Sequence, residues 1–197
     1  MSEMIIQRES LVAIADAIRE ATGETKPYSL DEMHRKLSTD FIRQITKDRY
    51  WLTYVPEGVT KIGNFVFYNN TKITETSLPE GIISIGDNAF NGCINLALTS
   101  LPEGLTKIGF LAFSGCTGLT SIFLPESLTH IGDGAFSYCT GLTEVTFKGT
   151  PTFIDESFYK CENLTTINVP WAEGEVEGAP WGATNATINY NYVNEEV

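Results

Sequence analysis

Apolar residues recur along this chain every 23 residues, a period much longer than the repeat of about 3.6 residues in a helix or about 2 in a strand. Isoleucine occupies the same position in five successive units, at Ile62, Ile85, Ile108, Ile131 and Ile154. Phenylalanine follows in each unit, at Phe67, Phe90, Phe113, Phe136 and Phe158. Since a unit of this size cannot bury its apolar face alone, the pattern predicts a solenoid whose units stack and share one core.

The clearest units read LPEGLTKIGFLAFSGCTGLTSIF at 101–123 and LPESLTHIGDGAFSYCTGLTEVT at 124–146. At the junction between them, Leu119, Ile122 and Leu124 are predicted to point inward. Ser121 and Phe123 are predicted to alternate outward, as in a strand. The proline that follows ends the strand, because it cannot donate the next hydrogen bond of the ladder.

A second, shorter extended piece is predicted to end at Ile108. Gly109 follows it, and we expect this glycine to adopt the positive φ that lets the chain turn. The segment 111–116 is then predicted to form a helical turn that carries Phe113 and Cys116 into the interior.

The cysteines follow the same period. Cys93, Cys116, Cys139 and Cys161 occur once in each of four successive units, and no C-x-x-C pair of the kind found in zinc sites occurs. We expect these cysteines to be buried, free and to behave as small apolar side chains. Disulfides are disfavoured because stacked side chains point the same way. The sequence therefore predicts no metal site.

The core pattern IG-x-x-AF-x-x-C-x-x-L resembles that of the BspA-like, or treponemal-type, leucine-rich repeat family over roughly residues 50–170. The resemblance implies a mainly β, right-handed solenoid of about five rungs, a rung being one unit of 22–23 residues, within a domain at 46–170. Departures lie at the ends, where terminal rungs face a different neighbour. Asn70 replaces cysteine in the first unit and Lys148 replaces proline in the last.

The N-terminal region, 1–45, is predicted to be a helical module. One helix is predicted from Ser10 through Gly23, and a second begins at Ser29, where Ser29 and Glu32 form a capping box. The hairpin resembles a short module in tail and baseplate proteins of bacteriophages, which implies attachment within a virion. A structural cap over the solenoid is the other interpretation. Helices this short are marginal alone and are expected to pack on each other, on the first rung or on another subunit, so a homo-oligomer joined through them stays open.

The C-terminal region, 171–197, is predicted to cap the other end. Trp171 and Trp181 are suited to cover an exposed apolar rung. The tail also resembles the C-terminal cap of phage-encoded proteins with these repeats. An exposed aromatic platform for carbohydrate is the alternative for the two tryptophans.

The composition argues against nucleic acid as a partner and against membrane insertion. Lys and Arg total 13 against 25 Asp and Glu, and the formal net charge of −12 would repel the phosphates of a nucleic acid. No apolar run reaches the roughly 20 residues that span a membrane, so we expect no membrane insertion. The N-terminus MSEMIIQRES lacks the basic and apolar regions of a Sec signal peptide.

Candidate chemistry is sparse, and we expect neither an enzyme nor a cofactor. His34 and His130 belong to no recognisable catalytic motif, and no phosphate-binding loop occurs. Glutamate follows proline in four units, at Glu57, Glu80, Glu103 and Glu126. These carboxylates either attract Ca²⁺ or are solvated, with the repulsion between them reduced by Lys61 and Lys107. We expect the second outcome.

The outward row of the longer strands is the candidate binding surface, since its residues vary while the inward ones stay fixed. Its predicted members are Leu52, Tyr54, Glu75, Leu98, Ser121, Phe123, Glu144, Thr166 and Asn168. We predict that this row contacts a protein or a cell-surface glycan. Three functions stay open: a bacteriophage tail-associated protein, located in the virion and contacting a virion partner or a host receptor; a bacterial surface or secreted adhesion module; and a phage-encoded inhibitor of a host protein.

Overall fold

The computed structural model describes residues 54–55, 58–151, 153–154 and 156–193. The predicted helical module of 1–45 and the candidate binding residue Leu52 lie outside these ranges. The described part is a mainly β solenoid of about five rungs, without an α-helix. The right-handed coil and the helical hairpin stay predictions.

Two parallel sheets run along the solenoid. The short-strand sheet has the order β1-β2-β3-β5-β7, and the long-strand sheet has the order β4-β6-β8-β9. The short strands are β1 (Lys61–Ile62), β2 (Ser84–Ile85), β3 (Lys107–Ile108), β5 (His130–Ile131) and β7 (Phe153–Ile154). The long strands are β4 (Ser121–Leu124), β6 (Glu144–Phe147), β8 (Thr166–Asn168) and β9 (Thr187–Asn189).

The predicted interior columns are confirmed. The isoleucines of β1, β2, β3 and β5 are 0–2% exposed, and the repeated phenylalanines from Phe67 to Phe158 are equally buried. Their rings stack from rung to rung with centroids 5.0, 5.2, 5.1 and 5.8 Å apart. Leu119, Ile122 and Leu124 point inward while Ser121 and Phe123 keep access to solvent, as the alternation predicts. Equivalent apolar side chains, one from each unit, thus pack on each other and form a continuous column.

The predicted helical turn at 111–116 is a series of tight turns. Within it, the Ser114 N–H donates to the Leu111 carbonyl and the Cys116 N–H donates to the Phe113 carbonyl. The Phe113 N–H instead donates to the Ala135 carbonyl of the next rung, at 2.7 Å. Leu111 adopts a φ of 51°, which is incompatible with a continuing right-handed helix. The turn nevertheless buries Phe113 and Cys116, as predicted.

The expected role of Gly109 was wrong. Its φ lies outside the positive region that the neighbouring Gly115 adopts, at 70°. A Cβ at position 109 would instead lie 2.6 Å from both the Gly86 carbonyl carbon and the Asp87 nitrogen of the preceding rung. Gly132 shows the same relation to Gly109, again at 2.6 Å. The glycine after each isoleucine therefore allows backbones of adjacent rungs to approach closely.

The long-strand sheet begins only at the third of the equivalent segments. Its central inward position holds a β-branched apolar residue in every strand, at Ile122, Val145, Ile167 and Ile188. The two preceding segments have Thr76 and Thr99 there, and both are exposed. Ser100 forms only an isolated bridge to Phe123. A polar residue at the central position thus prevents a regular strand from packing on the core.

The C-terminal region continues the long-strand sheet past residue 170. β9 pairs in parallel with β8, so that Ile167 lies beside Ile188. Trp171 and Trp181 are 4% and 1% exposed, and both rings contact Phe147, with centroids 5.3 and 5.8 Å away. The carbohydrate platform considered for these tryptophans is therefore wrong, because their rings are buried. The domain boundary at 170 stays a prediction.

Candidate binding face

The outward side chains of the long-strand sheet form the candidate binding face. They lie in two rows because strand side chains alternate and the four strands are in register. The first row is Ser121, Glu144, Thr166 and Thr187, and the second is Phe123, Thr146, Asn168 and Asn189. The parallel hydrogen bonds hold both rows on a rigid backbone.

The first row keeps access to solvent along its whole length. Glu144 and Thr187 are exposed, while Ser121 and Thr166 are half-buried. In the second row, Phe123 is 37% exposed at one end and Asn189 is exposed at the other. The face thus presents one aromatic ring beside hydroxyl, amide and carboxylate groups.

Asn168 is buried at the centre of the second row, so its predicted exposure was wrong. Its Nδ2 donates to Glu144 Oε1 at 2.7 Å and to Thr146 Oγ1 at 3.0 Å. Its Oδ1 accepts from Asn189 Nδ2 at 2.8 Å. Asn168 and Thr146 are each only 2% exposed, because rungs on both sides flank them. These hydrogen bonds order the face instead of offering free groups to a ligand.

We expect Asn168→Ala to lower the free energy of unfolding by about 1–3 kcal/mol, because it removes three hydrogen bonds around a buried amide. Urea denaturation followed by circular dichroism measures the change. Thr166→Ala is the matched control on the same strand, and its half-buried side chain predicts a change within about 0.5 kcal/mol. Equal values for the two variants would contradict a structural role for the Asn168 amide.

Of the residues predicted from the earlier rungs, the three that the structure describes, Tyr54, Glu75 and Leu98, do not lie on this sheet. Tyr54 is 39% exposed, but it belongs to no strand. Glu75 is half-buried and accepts a hydrogen bond from the Val55 N–H through Oε1, at 3.3 Å. Leu98 is 1% exposed, so its outward prediction was wrong. In this rung Thr99 stands at the central position of the segment but is exposed, and the chain buries the apolar Leu98 one place earlier instead.

Sequence reasoning missed Thr187 and Asn189, which the structure places on the face. The signal was present, because TIN at 187–189 repeats TIN at 166–168. The interval between these two segments is shorter than the interval between the preceding units, so the period of the repeat did not predict the last strand.

The cysteines are free and buried, as predicted. Each Sγ also lies within hydrogen-bond distance of a phenylalanine carbonyl of the preceding rung, at 2.9–3.1 Å, a contact that the repeat alone did not indicate. Burial raises the pKa of the Cys93 thiol to about 12 and also raises the pKa of Cys116 and Cys139. A thiol of this kind stays protonated at neutral pH and is a poor nucleophile.

The remaining ionisable candidates are dispersed. The pKa of His130 is lowered by partial burial and by the nearby ammonium of Lys107. Glu80, Glu103 and Glu126 are exposed. Glu103 forms an ion pair with Lys148 at 2.7 Å, whereas Lys107 was predicted to reduce the repulsion between these carboxylates. In the part of the chain that the structure describes, no group of three or more His, Cys, Asp or Glu side chains is arranged to hold a metal ion.

Comparison with known proteins places these features in a family. The chain matches the family described as BspA type leucine rich repeat region, in six copies, over residues 60–177. No enzyme family matches the chain. No curated protein sequence matches it either. Among the described residues, no helix is long and apolar enough to cross a membrane.

Solved structures of bacterial proteins are similar to this chain, and the one with a TM-score above 0.5 shares its fold. The pneumococcal vaccine antigen PcpA is similar with a TM-score of 0.57 and 19% identity, over 72% of this chain and 38% of that chain. The T. pallidum leucine-rich repeat protein TpLRR has 28% identity and a TM-score of 0.42, over 56% of this chain and 65% of that chain. A leucine-rich repeat protein from Eubacterium ventriosum has 24% identity and a TM-score of 0.49, over 56% of this chain and 29% of that chain. The chain therefore spans less than two thirds of the length of each of these proteins.

Proposed function

Because the chain belongs to the BspA-type leucine-rich repeat family, we propose that it is a non-enzymatic binding protein whose candidate binding face contacts a protein partner. The observation that carries the proposal is the partly exposed Phe123 ring on a regular sheet whose other outward groups are polar. An aromatic side chain held among polar groups is the usual centre of a protein interface.

Two features support this choice of surface. Phe123 lies on β4, which pairs with β6 through four registered residues, so little ordering of the backbone is needed on binding. The Glu144 carboxylate and the exposed Asn189 amide flank the buried amide of Asn168. They place polar groups on the same sheet as the Phe123 ring, which favours one orientation of a partner.

Position-specific photo-crosslinking tests the surface before the partner is known. Benzoylphenylalanine is placed at position 123 or at position 110, and the crosslinked adducts that the two chains form on intact host cells are compared. Phe110 is the matched control because it is also exposed, at 47%, but follows the short strand β3. We expect a specific adduct from position 123 and none from position 110. The same adduct from both positions, or none from position 123, would refute it.

We expect Phe123→Ser to weaken binding of the captured partner about tenfold or more, because the aromatic anchor is lost. The fold should be unchanged, since the ring is partly exposed and its replacement is small and polar. Biolayer interferometry measures the affinity and a thermal melt checks the fold. Phe110→Ser should bind as the unmodified chain does. Unchanged affinity in Phe123→Ser would remove this residue from the interface.

We infer that the protein is located on the surface of a cell or particle and takes part in attachment there. The repeat family favours the surface of a bacterial cell. The resemblance of 1–45 to modules of phage tail proteins favours a virion instead, so a tail-associated protein is the second candidate. Protease shaving of intact cells and mass spectrometry of purified virions separate the two. Peptides of this chain among the shaved fragments support the first, and peptides in the virion fraction support the second.

A further inference from the structure

A groove on the short-strand sheet lies apart from the candidate binding face. It crosses three consecutive rungs and is lined by residues 61–64, 84–87, 107 and 109, with a volume of about 390 Å³. Gly86 and Gly109, which lack side chains, lie in its lining, and Ile62 and Ile85 beneath it are buried. A cavity of this size is within the range that accommodates a small molecule.

Two lysines give this groove its chemistry. Lys61 and Lys107 stand in the same outward row, on β1 and β3, with Ser84 of β2 between them. Their strands are two steps apart, so the backbones are separated by about 9–10 Å, with the Ser84 side chain midway. Both lysines are exposed, and neither forms an ion pair with any residue that the structure describes. Their ammonium groups are thus available to a ligand.

One carboxylate also lines the groove, but it is already engaged. The Asp87 Oδ1 accepts a hydrogen bond from the Phe110 N–H at 2.9 Å, and the Asp87 N–H donates to Asn64 Oδ1 at 2.8 Å. Asp87 therefore fixes the turn at the edge of the groove. With two ammonium groups against one carboxylate, the lining carries a net positive charge in a chain whose formal net charge is −12. His130 neighbours Lys107 on the next strand, and its pKa is lowered first by partial burial and second by the Lys107 ammonium.

The overall charge restricts the size of a ligand. A polyanion would be repelled by the rest of the molecule, whereas a small anion within the groove interacts mainly with the adjacent ammonium groups. We propose that this groove binds a small ligand bearing a phosphate or carboxylate group, held between Lys61 and Lys107 with the Ser84 hydroxyl as a further hydrogen-bond donor. This proposal is independent of the protein-binding function, because it rests on the opposite set of strands.

Backbone amide shifts in NMR titrations test the site. The probes are inorganic phosphate, glucose 6-phosphate and glucuronate, with glucose as the neutral control. We expect either acidic sugar to shift amides of residues 61–64, 84–87 and 107–109 at millimolar concentration and glucose to leave them unchanged. The phosphate and carboxylate probes separate the two possible acidic groups. Absence of shifts with all three anions, or equal shifts with glucose, would overturn the proposal.

Charge-removing variants test the assignment to the two lysines. Lys61→Gln and Lys107→Gln should each weaken binding of the better acidic sugar by about tenfold, since each removes one ammonium group. Lys72→Gln is the matched control, because Lys72 is exposed and lies outside the groove lining. All three variants should keep the thermal midpoint of the unmodified chain. An equal loss of affinity in Lys72→Gln would indicate general electrostatic attraction and would refute the site.

Discussion

Phe113→Ala is expected to lower the free energy of unfolding by about 3–5 kcal/mol, because it opens a cavity within the stacked ring column. The Phe113 ring is fully buried, and it stacks on Phe90 at 5.2 Å and on Phe136 at 5.1 Å. The substitution therefore removes contacts with two rungs as well as the burial of one side chain. Urea denaturation followed by circular dichroism measures the loss.

Phe110→Ala provides the control for Phe113→Ala. Phe110 lies three residues earlier in the same rung, and its side chain is 47% exposed. The same chemical change should cost much less there, since little apolar area is returned to water. A neutral Phe113→Ala, or a loss equal to that in Phe110→Ala, would contradict the inward register of the repeat.

Gly109→Ala should destabilise the protein by an amount comparable to Phe113→Ala, about 3 kcal/mol or more, although it adds only a methyl group. The added Cβ would meet backbone atoms of the preceding rung at 2.6 Å. Backbone cannot move aside as a flexible side chain does, so the two rungs must separate and weaken their hydrogen bonds. Gly109 N–H itself donates to the Ile85 carbonyl at 2.8 Å across this junction.

Gly104→Ala is the matched control in the same rung. A Cβ there would lie 3.7 Å from the Glu80 carbonyl oxygen, an ordinary van der Waals distance, and the φ of Gly104 is not in the positive region. We therefore expect little change or slight stabilisation, because alanine reduces the freedom of the unfolded chain. Thermal melts of both variants suffice. Similar midpoints would show that rung spacing does not depend on the glycine at 109.

The sequence was sufficient to predict the core because inward positions are constrained in every rung. Ile108, Phe113 and Cys116 each repeat with regular spacing, and each is buried against its equivalents. The parallel solenoid and the free cysteines follow from this constraint, and the resemblance to the family rests on the same repeated residues. Periodicity is informative here because a continuous column tolerates few side-chain shapes.

Exposure was harder to predict, since it depends on neighbouring rungs as well as on strand alternation. Asn168 occupies an outward position, yet it is buried because hydrogen-bonding partners lie on both sides. Leu98 turns inward because Thr99, beside it, does not fill the central core position. Neither outcome follows from applying the register of 119–124 to every unit.

The role of Gly109 illustrates a second limit. The regular spacing shows that a glycine recurs at this point of the pattern. Either a turn with positive φ or a close approach between backbones would require glycine there, so the sequence alone does not separate the two. The φ of the glycine and the distance between adjacent rungs distinguish them. The groove at Lys61 and Lys107 was also not predicted, because it forms from side chains two units apart that stacking brings into one row.

The constant offset between paired strands bears on how such a chain lengthens during evolution. From β1 to β5, every pairing joins equivalent positions of successive units, as Ile62 joins Ile85 and Ile85 joins Ile108. Duplication of one whole unit in the gene would insert a rung whose donors and acceptors match those already present on either side. A solenoid of this kind can therefore gain length in genetic steps of one repeat and extend its surface without redesign of its interior.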